Sequence, residues 1–66
     1  MTAQKTHMVY ATFRDRMGVT DYSVAKATGI APSTLCDWGK GRYTPKADKL
    51  ILIAQFLDMP VTAFFE

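Results

Sequence analysis

Apolar residues recur along the chain at helical spacing. Val9, Phe13 and Met17 fall at i, i+4 and i+8, with Tyr10 beside Phe13, and Gly18 follows as a stop signal. A first helix is therefore predicted from about Thr6 to Met17. Thr20 is a good N-cap, because its hydroxyl can accept a bond from one of the first free backbone N–H groups, and Asp21 suits the positive end of a helix dipole. The next segment, Asp21 to Thr28, turns Val24 and Ala25 inward and stops at Gly29, which makes a second, short helix. Pro32 then takes a first helical position, where its missing N–H costs nothing. Leu35 and Trp38 share one face of this third helix, and Gly39 and Gly41 close it. Thr44 and Pro45 repeat the cap-then-proline start, and Leu50, Ile53, Ala54 and Leu57 give the i, i+3, i+4, i+7 stripe of a fourth helix. Pro60 opens a last short turn carrying Val61, Phe64 and Phe65. No run alternates with period two. The pattern predicts one all-α domain over residues 1–66, a compact bundle of four to five short helices.

The same pattern nominates a core of Phe13, Val24, Leu35, Trp38, Leu50, Ile53 and Leu57. Phe64 is expected to complete it, while Phe65 is the better candidate for an interface. Met8, Met17 and Met59 read as gap-filling residues in or near the core. His7 reads as surface decoration of the first helix, and Cys36 as a passive small residue on the third.

Composition narrows the class. A chain of 66 residues buries only about 60% of the surface its unfolded form exposes, so there is room for one small core. With 48% hydrophobic and 21% charged residues it is globular rather than disordered. One cysteine allows no internal disulfide, which points to the reducing cytoplasm. The longest apolar run, Leu50 to Ala54, is too short to cross a membrane, and Met1 to Lys5 leads into no signal-like stretch. The six acidic residues are scattered, no Ser-His-Asp or Cys-His pair has usable spacing, and the single histidine lacks partners for a metal site. The chain reads as no enzyme, with no cofactor and no metal.

Two short helices joined by a turn with a glycine are the geometry of a helix-turn-helix, here at about residues 20–39. Ala25 is small enough for the next helix to cross close by, Gly29 can take the left-handed conformation of a sharp turn, and Ile30 plugs that turn into the core. From Val19 to Pro45 the chain reads V-T-D-Y-S-V-A-K-A-T-G-I-A-P-S-T-L-C-D-W-G-K-G-R-Y-T-P. Position by position this resembles the lambda-repressor/Cro-like (XRE) helix-turn-helix family, over Phe13 to about Phe65. The resemblance implies a sequence-specific DNA-binding protein, a bacterial or phage transcriptional repressor or regulator. Its third helix would lie in the major groove of a palindromic operator, and two copies would bind as a weak homodimer. Four positions depart from the family. Asp21 and Tyr22 stand where a phosphate-touching Gln is common, Gly39 replaces the acidic residue usual after the tryptophan, and Asp37 puts a carboxylate on the groove-facing side.

With Leu35 and Trp38 inward, the outward line of the third helix is Ser33, Asp37 and Lys40, flanked by Pro32, Thr34 and Cys36. Pro32, Ser33, Thr34 and Asp37 are the candidate base contacts; a carboxylate at Asp37 can accept from the N4 amino group of cytosine. From Trp38 to Lys49 there are four basic residues (Lys40, Arg42, Lys46, Lys49) and one acidic (Asp48), a local +3 in a chain of net charge +2. From Leu50 to Glu66 there are no basic residues and two acidic ones. Positive charge thus gathers beside the proposed recognition helix, where phosphate contact needs it. Tyr22, Lys40, Arg42, Tyr43 and Lys46 are the candidate backbone contacts, and Val61 with Phe65 the candidate dimer surface. The rival is a protein-interaction module, antitoxin-like or an adaptor, that turns the same helix-turn-helix surface to another protein. Asp37 and the small net charge favour that rival.

Overall fold

A computed structural model describes residues 3–65; Met1, Thr2 and Glu66, with the share of the C-terminal charge that falls on Glu66, lie outside the described residues. Four α-helices run in order, α1 (Ala3–Met17), α2 (Asp21–Thr28), α3 (Pro32–Gly39) and α4 (Ala47–Phe56), followed by a 3-10 helix over Val61–Phe65. No strand occurs among the described residues. The chain is all-α, as its periodicity predicts.

Local signals act where they are written. The Thr20 hydroxyl accepts from the Ser23 backbone N–H at 3.2 Å and starts α2. Gly29 ends it at φ 79°, with its N–H donating to the Ala25 carbonyl, and that left-handed turn is what sends the chain back across α2. The Thr28 hydroxyl donates to the Val24 carbonyl and accepts from the Ile30 N–H, which satisfies backbone groups at the turn. Pro32 opens α3 as expected.

Two starts differ from expectation. α1 begins at Ala3 rather than about Thr6, because the polar residues ahead of Thr6 carry no stop signal. α4 is capped by Lys46, not Thr44, and Pro45 is buried before the helix instead of forming its first turn. Burial of the proline ring extends the loop by two residues and leaves α4 without a side-chain cap.

The core gathers Tyr10, Val24, Ala25, Ile30, Leu35, Trp38, Leu50, Ile53, Ala54, Leu57, Met59 and Phe64. Val24, Leu35, Trp38, Leu50, Ile53, Leu57 and Phe64 are inside as the spacing requires. The first helix is rolled from its expected face. Thr6 and Tyr10 are fully buried, Phe13 and Val9 only partly, and Met17 and Met8 are exposed rather than filling the core. Trp38 causes the roll: its indole N–H donates to the Thr6 hydroxyl at 2.9 Å, and its rings stack on Tyr10 at 4.8 Å. Aligning both contacts sets which side of α1 meets α3. Such a ring pair adds about 0.5–1.5 kcal/mol beyond the area it buries. His7 is also no decoration. It is half-buried edge-on to Trp38 at 5.4 Å, and a Cβ on Gly39 would come within 3.1 Å of its Nε2. Gly39 therefore makes room for α1 at the end of α3, and the left-handed residue of that turn is Gly41, at φ 76°.

Candidate nucleic-acid interface

The inward anchors of α3, Leu35 and Trp38, set the face it leaves outside. Pro32, Ser33, Cys36 and Lys40 are exposed, whereas Thr34 and Asp37 are half-buried on the flanks. The structure thus divides the four candidate base contacts: Pro32 and Ser33 stand free at the N-terminal half, and Thr34 and Asp37 lie nearer the body of the domain. Among the described residues, none of these four side chains makes a hydrogen bond or ion pair within the chain. Cys36, which the residue pattern alone marks as passive, sits on the exposed face between Ser33 and Lys40.

The loop after α3 folds back on the helix end. The Lys40 N–H donates to the Cys36 and Asp37 carbonyls, the Gly41 N–H to the Trp38 carbonyl, and the Arg42 N–H to the Asp37 carbonyl at 2.9 Å. These bonds hold Lys40 and Arg42 beside the C-terminal turn of α3. Lys40, Arg42, Tyr43 and Lys46 are all exposed, so four of the five candidate backbone contacts come together on one basic loop. The fifth, Tyr22, stands apart on α2 and is 68% exposed. Tyr22 instead meets the other end of α3, where it lines a shallow groove of about 380 Å³ with Ala25, Lys26, Gly29, Ile30 and Pro32.

Asp21 is partly exposed, but its carboxylate is engaged within the chain rather than free as the family's glutamine would be. Its Oδ1 accepts from the Tyr10 hydroxyl at 2.5 Å and from Arg14 Nη1 at 2.8 Å, which ties the start of α2 to α1. Burial alone would push this carboxyl up, but the bonds from Tyr10 and Arg14 outweigh it and hold it below its ordinary value. The Tyr10 hydroxyl is pushed well up, by burial first and then by its bond to Asp21. Arg14 is raised in turn, chiefly by that carboxylate. His7 is held below its usual value by burial and by Arg14, with Asp21 opposing. Neither this cluster nor the Thr6–Trp38 bond is foreseen from the residue pattern. A Tyr and an Arg four apart on α1 ahead of an Asp in the next cap are its only trace, and nothing distinguishes Thr6 from a surface threonine.

The candidate dimer residues separate. Phe65 is 51% exposed, while Val61 packs partly into the core. Among the described residues no group of His, Cys, Asp or Glu is arranged to hold a metal ion, and no helix is long and apolar enough to cross a membrane.

Comparisons with known proteins agree with this architecture. The family model HTH_3, described as helix-turn-helix, matches residues 11–64. A crystal structure of an HTH_3 family transcriptional regulator from Vibrio cholerae superposes with a TM-score of 0.84 at 25% identity, over 98% of this chain and 36% of that one. The present chain therefore spans little more than a third of that regulator's length. The restriction-modification controller protein C.AhdI from Aeromonas hydrophila superposes with a TM-score of 0.85 over 96% of each chain. Its identity is 17%, so that likeness speaks for the fold alone. No match is found among curated proteins.

Proposed function

The chain belongs to the HTH_3 helix-turn-helix family, and from that premise we propose that it regulates transcription by sequence-specific binding of operator DNA. The observation that carries this reading is a pairing of surfaces. Among the described residues the outward side chains of α3 have no hydrogen bond or ion pair, and the exposed basic loop Lys40–Lys46 begins with residues held by backbone bonds against its C-terminal end. A helix in the major groove needs such a neighbour to grip the phosphates that border the groove.

In this reading Pro32, Ser33, Thr34 and Asp37 face base edges, with Asp37 accepting from cytosine N4. Lys40, Arg42, Tyr43 and Lys46 hold phosphates at one end of α3 and Tyr22 at the other. The regulator is of bacterial or phage origin, a repressor or other transcriptional regulator, and works in the cytoplasm on a palindromic operator. Two copies sit on half-sites about one helical turn apart, because one short helix reads too few bases. They meet through Phe65 with Val61 behind it, and such a small apolar contact gives a dimer that is largely monomeric in dilute solution.

Selection of bound duplexes from a random pool tests the reading. A palindromic consensus is expected, with affinity falling steeply as salt rises. Arg42→Ala or Lys46→Ala should weaken binding on all sequences alike and reduce the salt slope by about one for each phosphate no longer neutralised. Retention of no duplex above background would sink the proposal. It would favour a protein partner, for which the groove lined by Tyr22, Lys26 and Pro32 is the specific observation.

A further inference from the structure

The exposed side of α3 splits into two parallel rows of different chemistry. Ser33 and Asp37, four residues apart, form a polar row carrying a hydroxyl and a carboxylate. Pro32 and Cys36, also four apart, form a second row beside it, and both are exposed. Across the groove from Pro32, Tyr22 adds a third exposed and mainly apolar side chain. Pro32 also opens α3, but the exposure of both side chains leaves an apolar row available to a ligand.

We propose that Pro32 and Cys36 read thymine, packing an apolar row against 5-methyl groups in the major groove. The inference rests on the DNA-binding reading and names the bases that one side of α3 selects. It follows by elimination. Guanine and adenine present paired hydrogen-bonding groups, and cytosine presents a donor that requires a strong acceptor. Proline has neither donor nor acceptor in its side chain, and a thiol is weak as both. The single apolar group on the floor of the major groove is the thymine methyl. Residues four apart on a helix have Cβ atoms about 5–6 Å apart, while successive bases on one strand rise about 3.4 Å. The row therefore spans about one to two base steps and calls for two thymines within that distance in each half-site. The polar row beside it then reads the neighbouring pair, so one half-site combines methyl contacts with a hydrogen-bonded base.

The test replaces each thymine of the selected half-site by deoxyuridine, one at a time, which removes the methyl and leaves pairing intact. Loss of one buried methyl corresponds to about a fourfold fall in affinity. That fall is expected at one or two positions, and Cys36→Ser should abolish it at one of them while the domain keeps its melting temperature. Alkylation of the Cys36 thiol by a maleimide should slow when the selected duplex is bound and not when a scrambled duplex is present at the same salt. Sequence-specific binding indifferent to every uridine, a consensus without thymine, or unprotected Cys36 would each overturn the assignment and leave the DNA reading standing. Absence of any sequence-specific binding would overturn both.

Discussion

On the inner side of α3, Trp38 is fully buried, bonded through its indole N–H to Thr6, stacked on Tyr10 and bordered by His7 and Phe64. On the outer side, Pro32, Ser33 and Cys36 are exposed, and among the described residues their side chains have no hydrogen bond or ion pair. One helix of eight residues thus carries two opposite assignments. The inner face spends its chemistry on holding α3 against α1, and the outer face is left with chemistry to offer a ligand. A short helix can present groups to DNA only if something else fixes its position, because a free eight-residue helix is not stable in water. The clamp around Trp38 is that support.

If the division is real, inner-face changes should cost stability and outer-face changes should cost selectivity. The largest expected effect is at the centre of the clamp. Trp38→Ala should lower stability by about 3–5 kcal/mol, a large share of what so small a domain has. A cooperative melt near the wild-type temperature would break the comparison. Thr6→Val keeps the shape but leaves the buried indole N–H without an acceptor, and should cost about 1–3 kcal/mol in denaturant unfolding. An unchanged midpoint would mean that the indole finds another partner.

On the outer face the expectation reverses. Asp37→Ala should change stability by no more than about 0.5 kcal/mol, yet relax discrimination at one base pair per half-site by about 1–3 kcal/mol. Binding to scrambled duplexes should rise at the same time, since a carboxylate near phosphate repels. Equal affinities of mutant and wild type on both duplexes would remove Asp37 from the interface. Higher affinity with unaltered base preference would assign it to a protein partner.

The smallest effect concerns pH. Because His7 is held below 6.5 in the folded chain by burial and Arg14, the unfolded chain takes up the proton first. The stability that neutral His7 contributes is complete above about pH 6.5 and is lost as pH falls from there through the lowered folded value. Melting temperature should decline modestly over that window, and His7→Gln should flatten the decline. Asp21, also lowered, acts further down: its contribution persists until pH falls through the ordinary carboxylate range. Identical melting profiles for wild type and His7→Gln would show that the ring does not sense its neighbours.

Much of the candidate interface was legible in the residue pattern. Leu35 and Trp38, three apart, orient α3 whatever surrounds them, so the outward set around Ser33 and Lys40 follows from helix geometry. The refinement that exposes Cys36 and tucks Asp37 toward the body was not legible, because helix geometry alone puts Asp37 on the outward line and Cys36 beside it. Their different burial comes from the loop that returns along one side of the helix, where the Arg42 N–H meets the Asp37 carbonyl.

By itself the sequence determined the all-α class, the helix-turn-helix and most helix ends. Those features depend on caps, glycines, prolines and a stripe of apolar residues, all of which act over one or two turns of chain. The tertiary structure decided how α1 rolls, why Gly39 is a glycine, and where Asp21 points. Each of these joins groups far apart in sequence, Thr6 with Trp38, His7 with Gly39, Tyr10 and Arg14 with Asp21. Local propensity is indifferent between Val9 and Tyr10 as the inward residue of α1. The choice falls to Tyr10 because the buried indole offers a ring to stack on and an N–H that Thr6, one turn away on the same face, can accept.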